Sequence, residues 1–409
     1  MGEKSKICFL QYNLQGGGAE RKVCTLANFF VEKGYNVEIG LFGRNIVAYE
    51  LDKRVKLTFI DRSTYEYQGS FEKWGFKFAS CCLSVVERAL RLVSKKAGQR
   101  FKMHFRKKYN YTLPIKSYIL HRSDAVFITM MVQPYNEIMR IIERDIKKGR
   151  IKNPYIVMEC NNPTPGLDAN AADDERREKY YPMAARVVAM TQGIVDYFGE
   201  EIRRKCVVIP NPIRDDLPDA HEGDRRKAVV NCCRLNRQKN LPLLVDAFAL
   251  FHLHHPEYTL ELYGQGELRQ ELTNRIQEVG LSSCAHIYSF DPHVHEKIKD
   301  CTMFVSSSDW EGFGNSILEA LAIGLPTIST DCDFGPRDMI IDHENGLLVP
   351  KNDIEALARA MAELVDNPDL SKRLSREAVK VRELYDVNLI GQKWLELIDE
   401  VVEEREGLA

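Results

Sequence analysis

Two α/β sandwiches in tandem, each a parallel sheet covered by helices, are the architecture this sequence predicts. Strands and helices alternate through both halves, and the alternation breaks once at a proline pair before it restarts. A chain of 409 residues also exceeds one ordinary core. The composition, 44% hydrophobic and 28% charged, is that of a globular chain and not a disordered one.

The first half opens on Ile7, Cys8, Phe9 and Leu10, a continuous apolar run of the buried-strand type. A loop with Gly16, Gly17 and Gly18 follows. Val23, Leu26, Ala27 and Phe30 then share one helical face, and Gly34 supplies the stop. Residues 36–42 alternate as a second strand, completing a βαβ opening. Further strands are expected over 55–60, 125–131, 155–159 and 186–190. Residues 207–212 close this half, because Pro210 and Pro212 fit neither a helix interior nor a central strand. The charged stretch 214–227 follows, so the first domain is read as 1–212 and the second as 213–385.

In the second half a strand is expected over 228–232, and Leu243, Val245, Asp246 and Phe248 lie on the helix after it. More strands are read at 259–263, 286–288, 303–306, 327–329 and 346–349. Leu389, Trp394, Leu397, Ile398, Val401 and Val402 recur at helical spacing, which predicts a closing helix within 386–409.

Several classes are excluded. No apolar run approaches the roughly 18–20 residues of a membrane-spanning helix. The N-terminus reads as a first strand and not as a signal peptide, and Lys6 stands where a myristoylation motif needs Ser or Thr. Eleven scattered cysteines without metal-like spacing read as reduced, buried thiols of a cytoplasmic protein. A net charge of −2 does not suit a globally basic nucleic-acid binder. Asp331-Cys332-Asp333 is read as loop, and Gly264-Gln265-Gly266 is not a dinucleotide fingerprint because Arg269 takes the third glycine's place.

The strongest chemical signal runs from Asp309 to Ala320, where a strand ending in serines meets a Gly-rich turn and then a helix. Helix N-termini receive anions and sugar hydroxyls through free N–H groups. Glu311 and Glu319 sit at two depths along this segment, and carboxylates accept paired hydroxyls well.

The segment EGFGNSILEALAIGLPTIST resembles the signature of retaining glycosyltransferases of family 4, which have the GT-B fold. Arg234-Leu235-Asn236-Arg237-Gln238-Lys239-Asn240, Tyr263-Gly264-Gln265-Gly266-Glu267-Leu268, Gly335-Pro336-Arg337-Asp338 and Asn345-Gly346-Leu347-Leu348-Val349 are similar to further motifs of that family, in order. Gly16-Gly17-Gly18-Ala19-Glu20-Arg21 resembles its N-terminal glycine loop. The resemblance implies two Rossmann-like domains facing a cleft, with the last helix crossing back to the first domain. It implies that Arg234 and Lys239 bind the donor diphosphate and that Gly264, Gly266, Glu267 and Leu268 lie near the nucleotide. Gly16, Gly17 and Gly18 would cover the phosphates, Glu319 would hold the ribose, and Glu311 the hydroxyls of the transferred sugar. The amides around Gly312, Phe313, Gly314 and Asn315 would fix the sugar ring. An Arg–Lys pair can stabilise a departing nucleoside diphosphate without a metal, so no cofactor is expected beyond the nucleotide-sugar co-substrate.

On the acceptor side the family often carries a histidine or a Ser-Glu-Arg-Asn segment. This chain has Met158-Glu159-Cys160-Asn161-Asn162-Pro163, which lacks that Ser and Arg. Glu159 joins Glu311, Arg234 and Lys239 as a catalytic candidate, with Asn161 and Asn162 on the acceptor side. From Arg88 to Arg122 there are eleven Lys or Arg residues and no acid, with aromatic residues interleaved. Such a segment suits an anionic membrane surface, and the expected acceptor is a saccharide or a polyprenyl-linked saccharide at the cytoplasmic face. The expected activity is transfer of a hexose or N-acetylhexosamine from a UDP- or GDP-sugar. The alternatives are a sugar-nucleotide epimerase on the same fold and an inactive partner subunit.

Overall fold

A computed structural model of the chain describes residues 5–15, 17–43, 47–61, 112–151, 156–160 and 171–407. Gly16, Asn161, Asn162 and most of the basic stretch 88–122 lie outside the described residues, and of Glu159 only the backbone is described.

The first sheet has seven parallel strands in the order β3-β2-β1-β4-β5-β6-β7. They are β1 (Lys6–Gln11), β2 (Asn36–Leu41), β3 (Lys56–Phe59), β4 (Val126–Thr129), β5 (Ile156–Cys160), β6 (Arg186–Ala189) and β7 (Cys206–Val208). The apolar run of β1 is central because β2 and β4 flank it in parallel, pairing Phe9 with Ile39 on one side and with Ile128 on the other. A strand covered on both faces needs a near-continuous hydrophobic sequence, which is what Ile7–Leu10 supplies. The helix Gly18–Glu32 crosses from β1 to β2 and buries Val23, Leu26, Ala27 and Phe30.

The second sheet has six parallel strands in the order β10-β9-β8-β11-β12-β13. They are β8 (Arg226–Cys232), β9 (Thr259–Tyr263), β10 (Ala285–Tyr288), β11 (Cys301–Ser306), β12 (Thr327–Thr330) and β13 (Leu347–Val349). Strand boundaries differ from the sequence reading by a few residues. The largest difference is at 125–131: β4 stops at Thr129, and Met131 becomes the extended residue that starts the helix Val132–Lys147.

The last helix, Val387–Gly407, returns to the first sheet. Trp394 is fully buried in one cluster with Ile7, Phe9 and Phe30. Arg186 at the start of β6 pairs with Glu400, at 2.6 Å, and with Glu404, and Tyr35 donates to Asp399 at 3.1 Å. Among the described residues no helix is long and apolar enough to cross a membrane.

Candidate functional site

The candidate residues of the second sheet all lie just beyond the carboxyl ends of its parallel strands, where open α/β sheets bind ligands. β11 ends at Ser306, and the chain runs through Ser307 and Ser308 into the turn that precedes the helix Asn315–Ala322. Gly314 starts that helix with φ 94°, a left-handed conformation that favours glycine.

Glu311, 4% exposed, lies in the turn. Its Oε1 accepts from Lys239 Nζ at 2.5 Å and from Ser308 Oγ at 2.7 Å, and Gln238 Nε2 donates to Oε2 at 3.4 Å. Gln238 also donates to the Trp310 carbonyl at 3.0 Å, so one side chain ties the β8 loop to the β11 loop. Lys239 is thereby fixed beside a buried carboxylate rather than left on an open loop. A charge so buried is tolerated only when it is paired and hydrogen-bonded.

Glu319 is 8% exposed and lies farther along the helix. Arg21, from the helix Gly18–Glu32 of the first sheet, donates to its Oε1. His295, on the short helix Val294–Ile298 after β10, sits 3.1 Å from its Oε2. Burial pushes the Glu319 carboxyl up, but Arg21, the His295 hydrogen bond and Arg214 outweigh it and hold it down at about 2. The carboxylate is therefore charged at neutral pH.

Arg234 is exposed and makes no side-chain hydrogen bond or ion pair among the described residues. Its loop is shaped from below by the Gly264–Gly266 turn. A Cβ on Gly264 would lie 1.9 Å from the Cys233 carbonyl oxygen, and one on Gly266 would lie 2.3 Å from that of Leu235. Leu235 donates to Gln265 O at 3.0 Å, and Leu268 donates back to Leu235 O at 3.0 Å. The two glycines thus have a backbone reason to be there, whether or not a ligand approaches them. Glu267 is exposed and Leu268 buried.

The two halves meet at this place. A Cβ on Gly18 would lie 2.7 Å from Asn315 Nδ2. Asn315 Oδ1 accepts from Asn211 Nδ2 at 2.8 Å, and Asn211 Oδ1 accepts from Lys22 Nζ at 2.6 Å. Gly17 is hydrogen-bonded through its N–H to Tyr49 Oη at 2.8 Å. Gly312 is buried, and Phe313 is buried with its ring 5.6 Å from that of Tyr385. Asp331 and Asp333 lie in loop and are paired with Arg337 at 2.8 Å and Lys351 at 3.2 Å.

The structure thus gathers Gly17, Gly18, Lys239, Glu311, Asn315 and Glu319 at the junction of the two halves, with Arg234 on the loop beside Lys239. Arg21, Ser308, Gln238, Asn211, Arg214 and His295 join them, and the sequence reading singled out none of these as site residues. Arg21 and Gln238 lie inside motifs already quoted and Ser308 in the serine run. His295 carries no sequence signal, because a five-residue helix shows no periodicity.

The model of the family described as glycosyl transferases group 1 matches residues 214–381. The putative glycosyltransferase EpsD of Bacillus subtilis is 34% identical over a 294-position alignment that covers 60% of this chain and 77% of that protein. A Campylobacter jejuni α-1,4-N-acetyl-D-galactosaminyltransferase, named for a PP-undecaprenol-linked saccharide, is 25% identical over 97% of this chain and 99% of its own. The chain spans only 24% and 27% of the length of two further relatives that it matches. TarM of S. aureus, in a crystal structure with UDP, has a TM-score of 0.71 at 14% identity and covers 97% of this chain and 100% of its own. That likeness shows the GT-B fold: two Rossmann-like sheets with the last helix returned to the first. Fold, motif order and identity to EpsD together give one conclusion: the chain belongs to the glycosyl transferases group 1 family.

Proposed function

We propose that the chain transfers a hexose or N-acetylhexosamine from a nucleotide sugar, a UDP-sugar in first place and a GDP-sugar in second, to a saccharide or polyprenyl-linked acceptor. In this reading it acts with retention, as family 4 enzymes do, and needs no metal. The observation that carries the reading is the pair of buried carboxylates, Glu311 and Glu319, held by the cations Lys239 and Arg21. UDP in the TarM crystal and the lipid-linked saccharide in the Campylobacter enzyme's name support the donor and acceptor classes.

In this reading Arg234 and Lys239 meet the charge that grows on the departing diphosphate, and only interactions stronger in the transition state raise the rate. Lys239 serves both Glu311 and the phosphate, so the carboxylate that receives sugar hydroxyls and the cation that receives the leaving group are set in one geometry. Glu319 takes the ribose, and the Gly17–Gly18 start of the helix Gly18–Glu32 covers the phosphates. Glu159, Asn161 and Asn162 serve the acceptor, and the basic stretch 88–122 holds the chain at an anionic membrane surface.

The test is thermal melting with UDP, GDP, ADP and their sugar conjugates, repeated on Glu319→Ala and Arg234→Ala. A ligand that binds only the folded state raises the melting temperature with saturation. A shift with one nucleotide, lost in both variants, is expected, and no shift with any nucleotide overturns the reading. The product's anomeric configuration by NMR tests retention, and turnover unchanged by EDTA is expected. Neutralising Lys95, Lys96, Arg106, Lys107 and Lys108 is expected to abolish co-sedimentation with anionic liposomes. Undiminished co-sedimentation removes the membrane role.

A further inference from the structure

Glu319 has more neighbours than a carboxylate needs for charge balance alone. Arg21 takes one lone pair on Oε1 and His295 faces Oε2 at 3.1 Å. Behind His295 lies Arg214, whose Nη1 is 3.5 Å from the ring's Nδ1. Arg214 is itself fixed, paired with Asp216 and within 3.5 Å of the Pro292 carbonyl. His295 is 7% exposed, so little water competes for either ring nitrogen.

The chemistry of these groups places a proton on the ring. A guanidinium has five donors and no acceptor. An ionised carboxylate only accepts, so the ring nitrogen 3.1 Å from Glu319 Oε2 carries a proton, and the Nδ1 on the other side faces Arg214. A carboxylate offers about four lone-pair positions, two on each oxygen. Among the described residues Arg21 and His295 use one on each oxygen, which leaves one on each. Two acceptor positions on adjacent oxygens of one carboxylate match the two hydroxyl donors of a vicinal diol.

We propose that His295 is a positioning residue for Glu319: locked by Arg214, it fixes the rotation of the carboxylate so that its two remaining acceptor positions meet both ribose hydroxyls of the donor nucleotide. The inference rests on the placement of the ribose at Glu319 given above. It adds that the chain's preference for ribonucleotides depends on a side chain that touches no ligand. Without the Nε2 donor the carboxylate turns toward Arg21 alone, and at most one of its free positions stays aligned.

The experiment measures dissociation constants of UDP and GDP, and of their dideoxyribose counterparts, by calorimetry. The proteins are wild type, Glu319→Ala, His295→Gln and His295→Phe. Hydrogen bonds to a charged group predict that wild type prefers the ribonucleotide by about 10- to 100-fold. His295→Gln keeps a donor near the Nε2 position and is expected to retain that ratio. His295→Phe fills the space without a donor and is expected to bring the ratio below about 3-fold, with dideoxynucleotide affinity little changed. A wild-type ratio in His295→Phe overturns the inference while leaving the ribose at Glu319. A wild-type ratio in Glu319→Ala overturns the ribose placement itself. Equal loss of affinity for both sugars in His295→Phe and His295→Gln assigns His295 a purely structural role and also overturns the inference.

Discussion

Gly264→Ala tests whether the glycine turn after β9 sets the position of Arg234. The added Cβ would stand 1.9 Å from the Cys233 carbonyl oxygen, where real Cβ atoms essentially never come closer than 3.0 Å, so something must move by 3.0 − 1.9 = 1.1 Å. The turn cannot retreat freely, because Gly264 donates to Tyr288 O at 3.1 Å and Cys233 donates to Tyr263 O at 3.0 Å. The loop of residues 233–235 has to give, and it carries Arg234. Overpacking of this kind costs about 1–3 kcal/mol. A displacement of about 1 Å in a positioning group costs about 100-fold in rate. We expect a urea midpoint lowered by that energy and sugar transfer slowed about 100-fold, with UDP binding weakened in parallel. Gly199→Ala is the control: nothing lies within 4 Å of its Cβ position and its φ is −60°. Wild-type stability and transfer in Gly264→Ala would refute the reasoning.

Two more outcomes follow from the buried carboxylates. The Glu319 pKa is held at about 2 in the fold against an ordinary 4.5, so its ionisation stabilises the fold above about pH 4.5 and loses that contribution as pH falls toward 2. The stability difference between wild type and Glu319→Gln, from urea melts, should shrink by about 2 kcal/mol between about pH 7 and about pH 3. A flat difference curve refutes it. Lys239→Met leaves Glu311 buried without its cation and should cost about 3–5 kcal/mol in urea unfolding. Adding Glu311→Gln should recover part of that loss, and a cost below about 1 kcal/mol for Lys239→Met alone would show that the pair is not buried as described.

What the sequence disclosed depended on how local its physical cause was. The buried strand Ile7–Leu10 and the helix face of Val23, Leu26, Ala27 and Phe30 are periodic patterns within one element, and the fold reproduces them. The segment Glu311–Ala320 carried its chemistry in order along the chain. Gly264 and Gly266 were visible as a turn, but their reason is a close approach to the backbone of residues 233–235, which only strand pairing creates. Arg21 and Glu319 stand 298 positions apart, so their pairing could not be seen before the two sheets were set against each other. His295 is one of ten histidines and gains its meaning only from Arg214 on one ring nitrogen and Glu319 on the other. Glu159 was named from a motif with two substitutions, which left its partner residues unspecified.

The return of the last helix has a consequence for how the protein is made. Trp394 belongs to the core cluster of the first strand and the first helix, so that cluster lacks its largest side chain until residue 394 has been synthesised. Lys6 and Trp394 stand 394 − 6 = 388 positions apart, roughly 20–80 s of translation at typical rates. For that interval the cluster of Phe9 and Phe30 stays on the ribosome without Trp394. The second sheet, whose strands all lie between residues 226 and 349, can close before them. The first half is synthesised before the second, yet the second half is the one that can finish folding first.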